Sequence, residues 1–585
     1  YGLYVNQGGT FTGGSGTHTL GSVVVRNNAA AKCTLTSGVT TIDGEHGGEN
    51  YAINIEGSNS VFAHGSGTVT ITRASDTRIR NSGAALALNN LIINHASAVI
   101  TLASNGLTCA GDLTITAGEF GTGADKALTV TGDCYVAGTL TGNASAISLG
   151  SLEVAASGTY NATTGTTTIT DEDSVTGYAW DVNGTYNNND GGVTFDLGSG
   201  VDSHIRTGQS DGANSFHNLT VLLNASTNTL TMRPNAGTVM TIEGNLTISE
   251  GVLQKNTHSH TLTVTGNVEI HAGGKIDATS ASGAMNMGSL TIDAGGTYLA
   301  TSGTTTLTNK ASSNFAFKNS GTFTHNSGTM QIGDGSTSTG GAHLMNNTYY
   351  NLIINRDENA PDGNTPWRPS SGTEVTIAGD LTVTKGRFYR NNSSNSLVVT
   401  GDVDIAANGQ VGTSAASGSN TFGSLTIASG GTYLATSGTT TITGKESGSC
   451  FNNSGTFTHN NGTVSFTKSG GTWTTIFNSG GQSFYDVNVD SSTGQAIYAN
   501  DPLTIANNFT LVRGTFVANA ASSHDGDITV HGLTSIGGGA NATKLENDGR
   551  TLQLKSVTVL SNGTIDVAEG TNNFGGIRNL GGTIS

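Results

Sequence analysis

The phrase GDLTVT begins at Gly379, GDVDIA at Gly401 and GSLTIA at Gly423, so a glycine and a short alternating strand return every 22 residues. The same step separates Gly244, Gly266 and Gly288. Nearby, GGTYLATSGTTTI and SGTFTHNNGTVSF recur 24 residues apart, matching Gly431 to Gly455 and Gly438 to Gly462. A β-sandwich has no reason to repeat at that interval. A β-solenoid does, because three short strands and three bends make one turn of roughly that length. The expected fold is all-β: a single long parallel β-helix with about 22–24 residues per turn. That gives roughly 26 turns and, at about 4.8 Å per turn, a rod on the order of 125 Å.

A longer period encloses the short one. GDLTITAGEF at Gly111 returns as GNLTISEGVL at Gly244, GDLTVTKGRF at Gly379 and NNFTLVRGTF at Asn507, in steps of 133, 135 and 128 residues. NNLIIN from Asn89 returns as HNLTVL from His217, YNLIIN from Tyr350 and YDVNVD from Tyr485, and GSLEVA at Gly150 as GSLTID at Gly288, GSLTIA at Gly423 and KSVTVL at Lys555. The chain divides into a partial repeat at 1–89, super-repeats at 90–217, 218–350 and 351–485, and a truncated copy at 486–585. Within each strand, Leu, Ile or Val alternates with Thr, which sends aliphatics inward and threonines outward. Like then stacks on like from turn to turn, and glycine takes bends where φ can be positive. Tyr298, Phe323, Tyr433 and Phe457 at equivalent places are expected to stack in the core or at corners.

Composition narrows the function classes. Only 11% of residues are charged, and there are 85 glycines. The net charge of −17 and scattered basic residues argue against an electrostatic grip on nucleic acid. The densest basic group, Arg73, Arg78 and Arg80 with Asp76, reads as a solvated strand edge. No apolar run is long enough to span a membrane, and no signal peptide is recognisable. The first residue is Tyr rather than Met, which suggests a processed or excised chain. Cys33, Cys109, Cys134 and Cys450 are expected to be buried free thiols, since none is placed to pair well with another.

The ends share a phase. VNQGGTFTGGSGT from Val5 matches NNSGTFTHNNGT from Asn452, and the last repeat stops at NLGGTIS. A solenoid usually carries terminal caps, and none is legible. Either caps lie in absent flanks, or one chain's last turn abuts the next chain's first. Asn6, Gly9, Phe11, Asn579, Gly582 and Ile584 would then be the assembly residues of a head-to-tail polymer.

Catalysis needs a cleft signature. A glycosidase requires two facing carboxylates. The acidic groups are Asp43, Glu45 and Glu49 with His46; Asp171, Glu172 and Asp173; and Asp357, Glu358 and Asp362. None has calcium-loop spacing, so each reads as a corner loop. The insertion RDENAPDGNTPWRP, Arg356 to Pro369, breaks the repeat and holds three of the five prolines. Insertions in solenoids map to loops on one face, often the binding face. Arg356, Asp357, Glu358, Asp362, Trp367 and Arg368 are therefore the candidate ligand residues, with Trp367 a platform for a sugar ring. His325 and His459 share a repeat position but lie turns apart, and His258 with His260 makes only a weak metal pair. The sequons at Asn218, Asn245, Asn461 and Asn562 are expected by chance in so Asn- and Thr-rich a chain. No catalytic residue, metal or cofactor is expected.

The phrases GSLTIASGGTYLATSGTTTITG and FNNSGTFTHNNGTVSF resemble the Gly/Thr/Asn-rich repeats of β-helical surface and virion proteins of marine phages and bacteria. The resemblance spans nearly all of the chain, most clearly from about Asn90 onward, and implies a fibre shaft or an adhesin. It carries over no catalytic residue. The function expected first is a non-enzymatic structural subunit of an extracellular, cell-surface or virion fibre. A tail fibre or adhesin binding cell-surface glycans comes next, then a polysaccharide-degrading enzyme. Expected partners are further copies of the chain, as a homo-oligomer or head-to-tail polymer, or a glycan.

Overall fold

The computed structural model describes residues 1–28, 30–48, 50–198, 200–208, 214–233, 239–256, 259–311, 314–336, 343–345, 347–356, 364–367, 374–390, 394–444, 448–468, 473–492, 495–519, 525–567 and 569–585. Two compact units divide the chain: Tyr1–Gly303 with Ser320–Phe323, and Thr304–Asn319 with Thr324–Ser585. The described residues form strands and no helix. The fold is an all-β parallel β-solenoid of about 23 turns.

Three columns of parallel strands run through each unit, and the alternating sequence fills their inward positions. In the first unit one column reads Val69, Leu91, Leu113, Cys134, Leu152, Trp180, Ile205, Met232, Lys255 from rung to rung. A second reads Leu86, Leu107, Leu128, Ile147, Thr167, Val193, Leu219, Leu246, Val268, Leu290. In the second unit, Met330, Leu352, Leu381, Val403, Leu425, Phe451, Ile476 and Ala499 form one column. Leu397, Asn420, Thr440, Val464, Val487, Phe509, Thr534 and Val557 belong to another. These residues are buried, while the threonines between them, such as Thr114, Thr129 and Thr382, are partly open to solvent. Each buried aliphatic contributes about 1.5–3 kcal/mol, so the columns carry the stability.

The expected aromatic stacks are present. Tyr298 and Phe323 lie 5.9 Å apart at 24°, and Tyr433 and Phe457 lie 6.1 Å apart at 15°. The first unit also holds a core cluster in which Trp180 meets Tyr160, Tyr186, Phe195 and Phe216. All four cysteines are free and buried, as expected.

Turn length varies more than the repeat phrases suggest. Ser151 sits over Asp133 after 18 residues and Asp112 over Asn90 after 22. Asn245 follows Asn218 by 27 and Asp380 follows Asn351 by 29. Loops between the faces absorb the extra residues, which is why about 23 turns replace the expected 26. The basic group also differs from expectation. The strand Thr77–Asn81 pairs on both sides, with Tyr51–Ile55 and Asn90–Ser104, so it is no sheet edge. Arg73 pairs with Glu45, and Arg80 lies over the Tyr51 ring.

Candidate functional site

Two side-chain systems stand out from the threonine surface. The first follows the Gly-Asx corner of three copies and its Asn507-Asn508 counterpart in the fourth. Asn90 Oδ1 accepts the Asp112 N–H at 2.9 Å, Asp112 Oδ1 accepts the Asp133 N–H at 3.0 Å, and Asp133 Oδ1 accepts the Ser151 hydroxyl at 2.7 Å. The second copy runs Asn218, Asn245, Asn267, Ser289 and the third Asn351, Asp380, Asp402, Ser424, with the same atoms. In the fourth, Asp486 accepts from Asn508, and Asn508 from the Leu533 N–H, where leucine ends the series. Each side chain thus clamps the next turn, through a backbone N–H or, at the last step of the first three copies, through a serine hydroxyl.

The ladder explains the glycine of the phrase. A β-carbon at Gly111, Gly244 or Gly379 would overlap Oδ1 of Asn90, Asn218 or Asn351. None of these three has positive φ. Close approach of a side chain, rather than a left-handed bend, requires glycine here, which corrects the sequence expectation.

The second system is a charged, aromatic face of the first unit. Tyr135, Glu153, Asp181 and Arg206 succeed one another at outward positions, with Tyr178 beside His204 on the same two strands as Asp181 and Arg206. Asp181 takes both Arg206 Nε, at 2.6 Å, and Arg206 Nη2. The guanidinium lies 4.7 Å over the Tyr178 ring, whose edge meets His204 at 5.5 Å. Burial, and then the Asp181 and Asp173 charges, hold the Glu153 carboxyl above the usual range. Burial and then Arg233 lower His204. The hydrogen bond that Arg206 donates to Asp181 raises Arg206 further. Asp181 is 6% exposed, and its carboxylate is consumed in holding two turns together. Alternation in HIR sets His204 and Arg206 on one face, but in YAWDV it would put Tyr178 with Trp180; the register shift between Tyr178 and Trp180, which the sequence does not display, brings Tyr178 to the side of Asp181.

The sequence candidates fall as follows. Asp357, Glu358, Asp362 and Arg368 lie outside the described residues, as do Glu49 and His258. Arg356 is 1% exposed, and burial lowers its guanidinium; it is a core residue, not an open loop residue. Trp367 ends the strand Asn364–Trp367, whose backbone pairs with the strand Leu381–Arg390, so this part of the insertion is built into the sheet. His260 is buried in a loop. His325 and His459 serve turns: their Nδ1 atoms accept the Ser327 and Asn461 N–H groups, and their rings lie against Tyr350 and Tyr485. Asp173 likewise builds a turn by accepting from Val175 and Thr176. Among the assembly candidates, Asn6, Asn579 and Ile584 are exposed and Gly9, Phe11 and Gly582 half-buried. Asn579 Oδ1 accepts from Gly581 and Gly582, and Phe11 pairs with Cys33.

Among the described residues no group of three or more His, Cys, Asp or Glu is arranged to hold a metal ion. No helix among them is long and apolar enough to cross a membrane. No protein-family profile, curated protein or solved structure matches the chain. The columns and corner ladders define the class: a repetitive parallel β-solenoid.

Proposed function

We propose that this chain is a non-enzymatic structural protein, the shaft or repeating subunit of an extracellular or virion fibre. One observation supports the reading above the rest. The chemically capable side chains, from the Asx ladders to the Asp181–Arg206 pair, spend their polar atoms on the neighbouring turn. Stability that accumulates turn by turn suits a spacer whose job is to hold distance. Copies stacking head to tail through the turns of Asn6, Gly9, Phe11, Asn579, Gly582 and Ile584 are the finer form of the proposal. Electron microscopy of the purified chain across a concentration series tests it. Filaments whose axial repeat equals one chain length are expected; separate particles at every concentration would remove the polymer.

A second reading is a tail fibre or adhesin that binds a cell-surface glycan. The insertion at 356–369, the half-buried Tyr135 beside Glu153 and the half-buried Tyr178 beneath Arg206 favour it. Removing residues 357–363 and mutating Tyr135 and Tyr178 should then abolish glycan-array binding while leaving the fold unchanged. Release of reducing ends or unsaturated sugars from a glycan panel would instead support an enzyme.

A further inference from the structure

Equivalent residues of successive super-repeats do not lie in the same column. In the first unit Leu91 and Leu219 are counterparts in NNLIIN and HNLTVL. From Leu91 the column climbs through Leu113, Cys134, Leu152, Trp180 and Ile205 to Met232. Leu219 is not on it. It stands one strand earlier in the turn that Met232 completes, in the column of Leu128 and Val193. The second unit repeats the displacement independently. From Leu352 the column climbs through Leu381, Val403, Leu425, Phe451 and Ile476 to Ala499, while the counterpart Val487 stands one strand before that last rung.

The seams at which the copies meet are nevertheless alike. Thr329 pairs with Asn351 as Thr463 pairs with Asp486. Above each seam the register slips at the same place, between Ile354 and Asn355 and between Val489 and Asp490. Asn351 Oδ1 and Asp486 Oδ1 each accept the next turn's N–H at 2.9 Å. Below, His325 meets Tyr350 at 5.6 Å and 32°, and His459 meets Tyr485 at 5.5 Å and 31°. The left-handed pairs Asn326–Ser327 and Asn460–Asn461 agree within a few degrees of φ.

We infer that the super-repeat is a screw module: it adds a fixed length and turns everything beyond it by one face, through a seam that is locally the same each time. Within either unit, a surface feature carried by two successive super-repeats therefore appears on two different faces of the three. Copy number thus sets both the reach and the angular setting of whatever the chain carries. Only this functional meaning rests on the spacer reading; the screw itself does not.

The test is excision inside the second unit. A chain lacking residues 351–485 joins Tyr350 to Asp486 and seats Asp486–Asp490 on Thr329–Ile332. A second chain lacking 351–495 joins Tyr350 to Ala496 and would keep the columns in line but mismatch the seam. The first is expected to melt within a few degrees of the parent, and the second to unfold far lower or fail to fold. In the first, nitroxides at Q331C and N488C should broaden each other strongly, as neighbours about 5 Å apart in backbone, whereas Q331C with Y498C should not. Failure of the first chain to fold, or equal stability of the two, overturns the module. Broadening of the Q331C–Y498C pair instead overturns the rotation. None of these outcomes bears on filament formation by the full chain, so the two proposals fail separately.

Discussion

Lys255 occupies an inward position at the end of Leu246–Lys255, one rung above Met232, and is fully buried. Its Nζ donates to the Gly283 carbonyl at 2.8 Å, and burial pushes its ammonium down to about 8. A depressed lysine binds its proton less readily folded than unfolded. Below pH 8 both states are charged and the burial penalty is complete; stability then rises as pH climbs from 8 toward the ordinary lysine range. Lys255→Met is expected to raise stability at pH 7 by about 2 kcal/mol and to flatten the rise between pH 8 and 10 in urea titrations. The alternation in VLQK points Lys255 inward, yet its charge argues outward, so the sequence alone favours the wrong side. The cysteines were legible, because small apolar-like thiols fit inward positions. Burial pushes Cys33 and Cys109 up to about 12 and Cys450 to about 11. No thiol should react with a disulfide reagent in the native chain, and all four should react in denaturant; fast native reaction of any one would contradict its placement.

At the scale of the strand and its corner, the ladder is the device that fixes register. Asp112→Ala removes the acceptor for the Asp133 N–H and should cost about 1 kcal/mol in chemical denaturation. Asp112→Asn keeps the acceptor and relieves a like charge beside Asp133, so it should cost nothing. The second copy already has asparagine at that place, as Asn245. Inside the sheet, the Tyr433 hydroxyl receives the Asn420 amide at 2.8 Å and meets Thr440 at 2.9 Å. Tyr433→Phe leaves a buried amide without that acceptor and should cost about 1–3 kcal/mol by the same measurement. The sequence displayed the phrase four times, opening on Gly-Asx in three copies and on Asn507-Asn508 in the fourth, but glycine's known taste for left-handed bends offered a sufficient reading of it. Only the position of Oδ1 from the turn below shows why the side chain before each strand matters as much as the glycine. Arg356 and Asn364–Trp367, the described residues of the 356–369 insertion, misled for the opposite reason. The insertion's prolines and charges read as a loop, whereas Arg356 is buried and Asn364–Trp367 joins a column.

On the scale of the whole molecule, the fold class was readable from the 22-residue step, because inward aliphatics two residues apart can satisfy only stacked parallel strands. The face rotation was not. Turns of 18 to 30 residues hide how many strands a super-repeat contains, so residue counting cannot reveal that it stops one strand short of a whole turn. The functional reading inherits that limit: repetition speaks for a spacer, and the groups that depart from it, such as Glu153 and Tyr178, are scattered singles in sequence that meet only across rungs.

The parallel pairing of turn upon turn also has a mechanical consequence. Hydrogen bonds between strands lie across the strands, and within either unit that is the direction in which turns stack. Tension applied along the stack therefore meets each turn's bonds in series, and the weakest turn peels first while its neighbours stay folded. Pulled by its ends, such a chain should lengthen in a succession of small releases rather than one large rupture, shedding load while most of its turns remain closed.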